Sequence, residues 1–277
     1  VSRAPAAGER ARAARDLLAR GELTDLGRIP GASNDTRLVL AALGPTVRRA
    51  VYKPIAGERP LHDFPAGSLA GREAAAAVLD AQLGTDVVPP TVLRADAPLG
   101  PGSLQAYVEP DPDAAEPVGV FAPAEVPAGW APVFAAQTED GAEVLVAHAP
   151  WERLRALAFF DALANNADRK ASHIVAGDFA FSPAQPRLWA IDNGLCFHAE
   201  DKVRTVLWGF AGAPLSAAET AATQRAADPD GAAARELAGL LAAPEIAALQ
   251  ARARALLAAG ALPEPPAHRY PIPWPPL

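Results

Sequence analysis

The chain has 277 residues, half of them hydrophobic, enough for one large domain or two lobes with well-filled cores. With 25 basic against 32 acidic residues and a net charge of −7, no global field favours nucleic acid or anionic lipid. No apolar run approaches the roughly 18 residues of a membrane span, and the Arg-dotted amino terminus lacks the apolar core of a signal peptide. A single cysteine, Cys196, excludes an internal disulfide and a cysteine-based zinc cluster and fits a reducing compartment. A cytoplasmic monomer without nucleic-acid or integral membrane contact is expected. The basic residues are nearly all Arg, with Lys only at Lys53, Lys170 and Lys202. Under such bias, a retained Lys marks a position where a compact ammonium is wanted rather than a planar fork.

Glu9 to Arg20 reads as a short helix stopped by Gly21. Leu23 to Ile29, Thr36 to Leu43 and Val47 to Lys53 read as three strands, separated by turns over 30–35 and at Gly44-Pro45. Ser68 is placed to cap a helix whose Leu69, Ala76, Leu79 and Leu83 form one stripe and which Gly84 ends. Thr91 to Arg94 and Ser103 to Val108 add two strands. The Pro- and Ala-rich stretch 110–150, too acidic and broken for a core element, reads as an insertion between lobes, with a hairpin from Phe134 to Gln137 and Val144 to Ala147 about Glu139-Asp140-Gly141. Pro150 opens a helix that carries Trp151, Leu154, Leu157 and Ala158 on one face and ends near Asp161 to Ala164. His173 to Ala176 and Leu188 to Ile191 are short strands. Ser216 with Glu219 forms a capping box, and Pro244 to Leu257 is a helix closed by Gly260. The Pro-rich end is extended, with Trp274 as its anchor.

A sheet-rich first part and a helix-rich second part have the layout of a two-lobed nucleotide kinase. The expected fold is α+β and protein-kinase-like, with a small β-rich amino-terminal lobe over 1–108 and a larger helical lobe over 109–277. Lys53 ends a strand, where its ammonium can neutralise phosphate oxygens, and Glu73 on the following helix can pair with it. Polar residues crowd the segment from Asp161 to His173, between an apolar helix and an apolar strand. There Asp168 can accept or orient the proton of an attacking hydroxyl, and Arg169 or Lys170 can offset phosphoryl charge. His173 and Asp192 are candidate ligands of a divalent metal, which would take its other oxygens from phosphates. Asn193-Gly194 alone is equally a hairpin-turn signal, and a lone histidine is often structural.

Asp161-x4-Asn166-x-Asp168-Arg169 and Ala190-Ile191-Asp192-Asn193-Gly194 resemble the catalytic and metal-binding segments of the phosphatidylinositol 3- and 4-kinase superfamily, most closely the type II 4-kinases. The segment from Gly102 to Glu109 resembles that family's link between lobes. More closely still, Ser33-Asn34, Tyr52-Lys53-Pro54, the run from Pro89 to Arg94, Asn166 to Lys170 and the Pro-Ile-Pro-Trp tail look like an actinobacterial family of kinase-like proteins of undefined substrate. The resemblance implies that Lys53 binds phosphate with Glu73 as partner, that Asp168 is catalytic and that Asp192 holds the metal. It implies that Gln105, Ala106, Tyr107 and Val108 face the adenine and that Ser33, Asn34 and Thr36 cover the phosphates. The implied cofactors are ATP and magnesium or manganese.

One departure concerns the metal. His173 stands where the lipid kinases carry an Asn, and imidazole favours softer ions than magnesium. A second departure concerns the substrate, because the acidic chain has no cysteine cluster and no basic amphipathic helix for a membrane surface. A protein or small-molecule hydroxyl is therefore the expected acceptor, with 110–150 shaping its site. A nucleotide-binding pseudokinase, a phosphatidylinositol kinase and a nucleotidyl transferase are the competing readings.

Overall fold

Alternating burial along the first strands gives the sheet one face for a helix and one for a cleft. The computed structural model describes residues 7–32, 34–179 and 187–277. Helix α1 (Ala7–Arg20) is followed by strands β1 (Glu22–Arg28), β2 (Arg37–Leu43) and β3 (Thr46–Pro54), then helix α2 (Leu69–Leu83) and strands β4 (Thr91–Arg94) and β5 (Gly102–Ala106). The five strands form an antiparallel sheet in the order β1-β2-β3-β5-β4. Tyr52 and Leu104, opposite one another in β3 and β5, point to one face and pack with Val39, Ala50 and the α1 residues Ala14 and Leu18. Val51 and Lys53 point to the other face, as the two-residue period of a strand requires. Gly102 is needed where it stands, because any Cβ there would run into the Lys53 carbonyl and the Tyr52 ring.

The α2 helix starts differently from expectation. Ser68 has helical backbone angles and gives its hydroxyl to the Pro65 carbonyl at 2.7 Å. The carboxylate of Glu58 caps the helix instead, accepting from the amides of Leu69 (3.3 Å) and Ala70 (2.9 Å), where a negative charge also suits the helix dipole. Gly84 ends α2 in the left-handed region, as its position indicated.

After β5 the chain changes sheets. Strand β6 (Glu109–Pro110) pairs with β10 (Ile174–Asp178), which pairs with β11 (Arg187–Ala190). Between them lie β7 (Val118–Phe121), β8 (Ala131–Gln137) and β9 (Glu143–His148), a three-stranded sheet in the order β7-β9-β8, and helix α3 (Glu152–Ala164). The stretch read as too broken for a core element therefore contributes to the core: Val118, Val146 and Ala149 pack with Leu154, Leu157 and Phe160. His148, fully buried, donates from Nδ1 to the Ala149 carbonyl and accepts the Gly209 amide at Nε2. Its neutral form is favoured because burial lowers its pKa.

Helices α4 (Ala217–Ala227), α5 (Ala232–Leu237) and α6 (Ala243–Ala259) complete the helical part. The Ser216–Glu219 capping box is present, while α5 had no separate signal in the sequence. The tail is anchored by Ile272, 5% exposed, and not by Trp274, which is 80% exposed. The tail's register comes from the Pro271 carbonyl, which accepts from the Thr205 amide and the Trp208 indole, and the Pro276 carbonyl, which accepts from the Ala171 amide. Among the described residues no helix is long and apolar enough to cross a membrane.

Asp80 on α2 is buried where the helix joins the sheet, accepting from the Thr85 hydroxyl (2.6 Å) and the Val87 amide (3.0 Å). Burial raises its carboxyl from 3.8 to about 6 in spite of these bonds. The folded state thus holds a proton that the unfolded chain has lost, so stability falls as pH rises through that window. Asp80→Asn keeps a carbonyl oxygen for both donors and removes the loss. Urea unfolding should show the variant gaining on the parent between about pH 4 and about pH 7, by up to ~3 kcal/mol. An identical pH profile in the two proteins would contradict this account.

Candidate active site

The loop that follows α3 is bolted in place by its own amides. Asn165 ends the helix in the left-handed region (φ 55), which Asn tolerates better than most residues. Its side chain donates to the carbonyls of His198 (2.8 Å) and Glu200 (2.7 Å) and accepts the Lys202 amide at 2.8 Å. Asn166 donates to Asp161 at 3.0 Å and accepts the Asp168 amide at 2.9 Å. Behind them lies Arg169, fully buried. Its guanidinium is bidentate to Asp161 and also donates to the carbonyls of His173 (3.3 Å) and Ile191 (2.8 Å) and to Asn193 Oδ1 (2.6 Å). One side chain thereby ties the loop to the turn after β11.

That turn presents Asp192, which has φ 56 and a half-exposed side chain. Asp192 Oδ1 accepts from Lys53 Nζ at 2.7 Å, and Lys53 Nζ also pairs with Glu73 Oε1. The second oxygen of Glu73 accepts the Asn193 amide at 3.1 Å, so Glu73 binds the strand and the turn together. Burial pulls the Lys53 ammonium down, yet attraction to Asp192 and Glu73 outweighs it and the net shift is upward. Lys53 in turn holds the Asp192 carboxyl well below the usual range. Asp168 lies on the opposite side of the charge balance. Burial raises it to about 6, against the pull of Lys170 Nζ at 3.2 Å.

His173 lies in a single 3-10 turn over Ala171–His173, just before β10 rather than within it. Its Nδ1 donates to the Asp168 carbonyl at 2.8 Å, and burial lowers its pKa to about 4. A neutral ring with Nδ1–H committed leaves the Nε2 lone pair toward Asp192 Oδ2, 3.4 Å away. Two electron-rich atoms facing each other suit an intervening cation, and a backbone-oriented imidazole is a common metal-ligand arrangement. The donor set fits a divalent ion. Among the described residues no group of three or more His, Cys, Asp or Glu side chains converges, so Asp192 and His173 would hold it together with oxygens from a phosphate and water.

These groups border one cleft between the five-stranded sheet and the β10–β11 side. Its inner part, about 310 Å³, is lined by Val51, Lys53, Gln105, Ala106, Tyr107 and Val108 on one side and by Val175, Ile191 and Asp192 on the other. Its outer part, about 660 Å³, adds Glu58, Arg59, Glu73, Asp168, Lys170 and the tail residues Pro275 and Leu277. Thr36 and Asn34 line the inner part, and Asn34 Oδ1 accepts the Arg59 amide at 2.9 Å. Ser33 lies outside the described residues. The amides of Ala106 and Tyr107 are taken by the carbonyls of Pro90 and Arg49, which narrows what that segment offers a ligand. The expectation that Arg169 offsets phosphoryl charge fails because Arg169 has no face on the cleft; Lys170 has one. Asp161, Asn166 and Asn193, which position the site, were part of the motifs but had no assigned task. Glu58 had no signal at all.

Breaking the Arg169–Asp161 pair from either side strands a buried charge. Arg169→Met and Asp161→Ala should each cost about 3–5 kcal/mol in urea unfolding, whereas Lys170→Ala should cost under about 1. A loss below about 1 kcal/mol in both clamp variants would contradict the clamp.

No protein-family model matches the chain. The structure is similar to that of hydra Fam20 with sugar, at 16% identity and TM-score 0.54 over 88% of this chain and 86% of the other. It is also similar to the Golgi casein kinase, at 14% identity and TM-score 0.57 over 92% of this chain and 75% of the other. The fold is thus kinase-like and two-lobed. In sequence, protein Rv2133c of Mycobacterium tuberculosis (strain ATCC 25618 / H37Rv) is 46% identical over 269 residues, 94% of each chain. The chain belongs to the family of that mycobacterial protein.

Proposed function

We propose that the chain is an ATP-dependent phosphotransferase that moves the γ-phosphate to a hydroxyl of a protein or small molecule. The observation that carries the reading is Lys53, on a strand of the cleft, bound at once by Glu73 of α2 and Asp192 of the turn after β11. An ammonium held by two carboxylates is fixed in direction and remains charged, which is what binding nucleotide phosphates demands. The resemblance of the Asp161–Arg169 and Ala190–Gly194 segments to phosphatidylinositol 3- and 4-kinases supports the same chemistry. Charge argues against a lipid acceptor, since the chain carries −7 overall and an anionic membrane would repel it. The two lobes divide near residue 108 in this reading, where strands stop joining the first sheet and β6 joins β10.

The residues divide the work as follows. Lys53 neutralises phosphate oxygens, and Glu73 holds it in place. Asp192 and His173 hold a divalent cation, magnesium or manganese, which when bound offsets charge on the phosphates. Asp168 takes the proton of the acceptor hydroxyl as its oxygen forms a bond to the γ-phosphorus and the bond to the β–γ bridging oxygen breaks. With its pKa near 6, Asp168 is largely ionised at neutral pH and is a better base than an ordinary carboxylate. Lys170 keeps that carboxylate oriented and sits where negative charge grows. A second reading, a nucleotide-binding module that regulates a partner, is favoured by His173 at the position where lipid kinases carry a metal-binding Asn.

The test is ATP labelled separately at the α and γ phosphates, incubated with the purified protein, manganese and a cell extract. The reading predicts transfer of the γ label only, reduced about 100-fold or more in Asp168→Asn while ATP affinity changes little. Transfer of the α label would make the protein a nucleotidyl transferase. ATP binding without transfer of either label would favour the regulatory module.

A further inference from the structure

The inner cleft has one polar side chain whose orientation is fixed by chemistry alone. Gln105 lies opposite Val51 in the sheet and opposite Thr91 on its other side, so its side chain shares the cleft face with Val51. Thr91 Oγ1 donates its single hydrogen to the Pro89 carbonyl at 2.9 Å, within the buried interior. That hydroxyl can then only accept, and the group it accepts from is Gln105 Nε2 at 2.9 Å. The Gln105 amide cannot be turned over without setting its oxygen against Thr91 Oγ1 or depriving a buried carbonyl of its donor. Its Oε1 is therefore a fixed acceptor, and no donor from the described residues reaches it. The neighbouring amides of Ala106 and Tyr107 are occupied by Pro90 and Arg49, which leaves the Gln105 oxygen as a prominent polar mark on a wall otherwise set among Val51, Val175 and Ile191.

We propose that Gln105, locked by Thr91, reads the exocyclic substituent of a purine ring held between those apolar side chains and selects adenine over a 6-oxopurine. This rests on the nucleotide-binding reading given above. An exocyclic amine donates to Oε1, whereas an oxo group sets two acceptors against each other in a partly desolvated cleft. Thr91 has no face on the cavity, so it acts as a positioning residue through the amide it holds.

The experiment is calorimetric titration of the whole chain with ATP and with ITP, which differ at the six-position of the base, in manganese buffer. The parent should bind ATP about tenfold or more tightly than ITP. Gln105→Leu should narrow the ratio by weakening ATP. Thr91→Val should narrow it by strengthening ITP, because the freed amide can turn and present its NH2, and Thr91→Ser should restore it. A merely structural role for Thr91 would weaken both nucleotides equally. A parent ratio near one, or a ratio unchanged in both Gln105→Leu and Thr91→Val, overturns the proposal while leaving phosphotransfer intact. Absence of any nucleotide binding in the parent overturns both.

Discussion

The site depends on a guanidinium that never meets solvent. Arg169 is enclosed by Asp161, Asn193 and the carbonyls of His173 and Ile191, so the end of α3, the loop after it and the turn beyond β11 are set by one rigid fork. A lysine could not replace it, because an ammonium has no planar set of donors to span those partners. The pair with Asp161 is costly to bury and is repaid only by the full set of hydrogen bonds around it. Its product is position: Asp168 and His173, from the stretch between α3 and β10, and Asp192, from the turn after β11, face one cleft.

A second constraint is electrostatic. Asp168 and Asp192 border the same cleft, but their surroundings push them apart in acidity. Asp192 is stabilised as an anion by Lys53, while Asp168 is raised to about 6 by burial. Separation of this kind lets one carboxylate serve as a permanent anion and the other as a proton acceptor. Glu73 supports the Asp192 anion indirectly, since it holds Lys53 with one oxygen and the turn of Asp192 with the other. His173 is oriented by the backbone of Asp168 itself, so the proposed base and the proposed metal ligand share one local conformation.

Much of this arrangement was legible in the sequence where type and local position were enough. Lys53 at a strand end, Glu73 within a helix and Asp192 after an apolar strand are local statements, and the structure brings the three together. Arg169 was misread because a motif shows its neighbours in sequence but not its depth, and the acid that receives it lies a full α3 end away at Asp161. Trp274 was taken as an anchor on hydrophobicity alone, although Ile272 is the residue that fits under the tail. The α2 cap could not be read at all, since Glu58 reaches Leu69 and Ala70 across a loop and only the fold supplies that proximity. In the stretch to Pro150 the hairpin of β8 and β9 was legible, whereas β7 was not, because its pairing with β9 is settled by tertiary contacts.

The central claim is that Lys53 and Asp192 form the floor of a nucleotide–metal site. The direct measurement is ATP affinity with and without manganese, in the parent and in Asp192→Ala. The account predicts that manganese tightens ATP binding in the parent and has no effect on the variant. Equal tightening by manganese in the two proteins would contradict it.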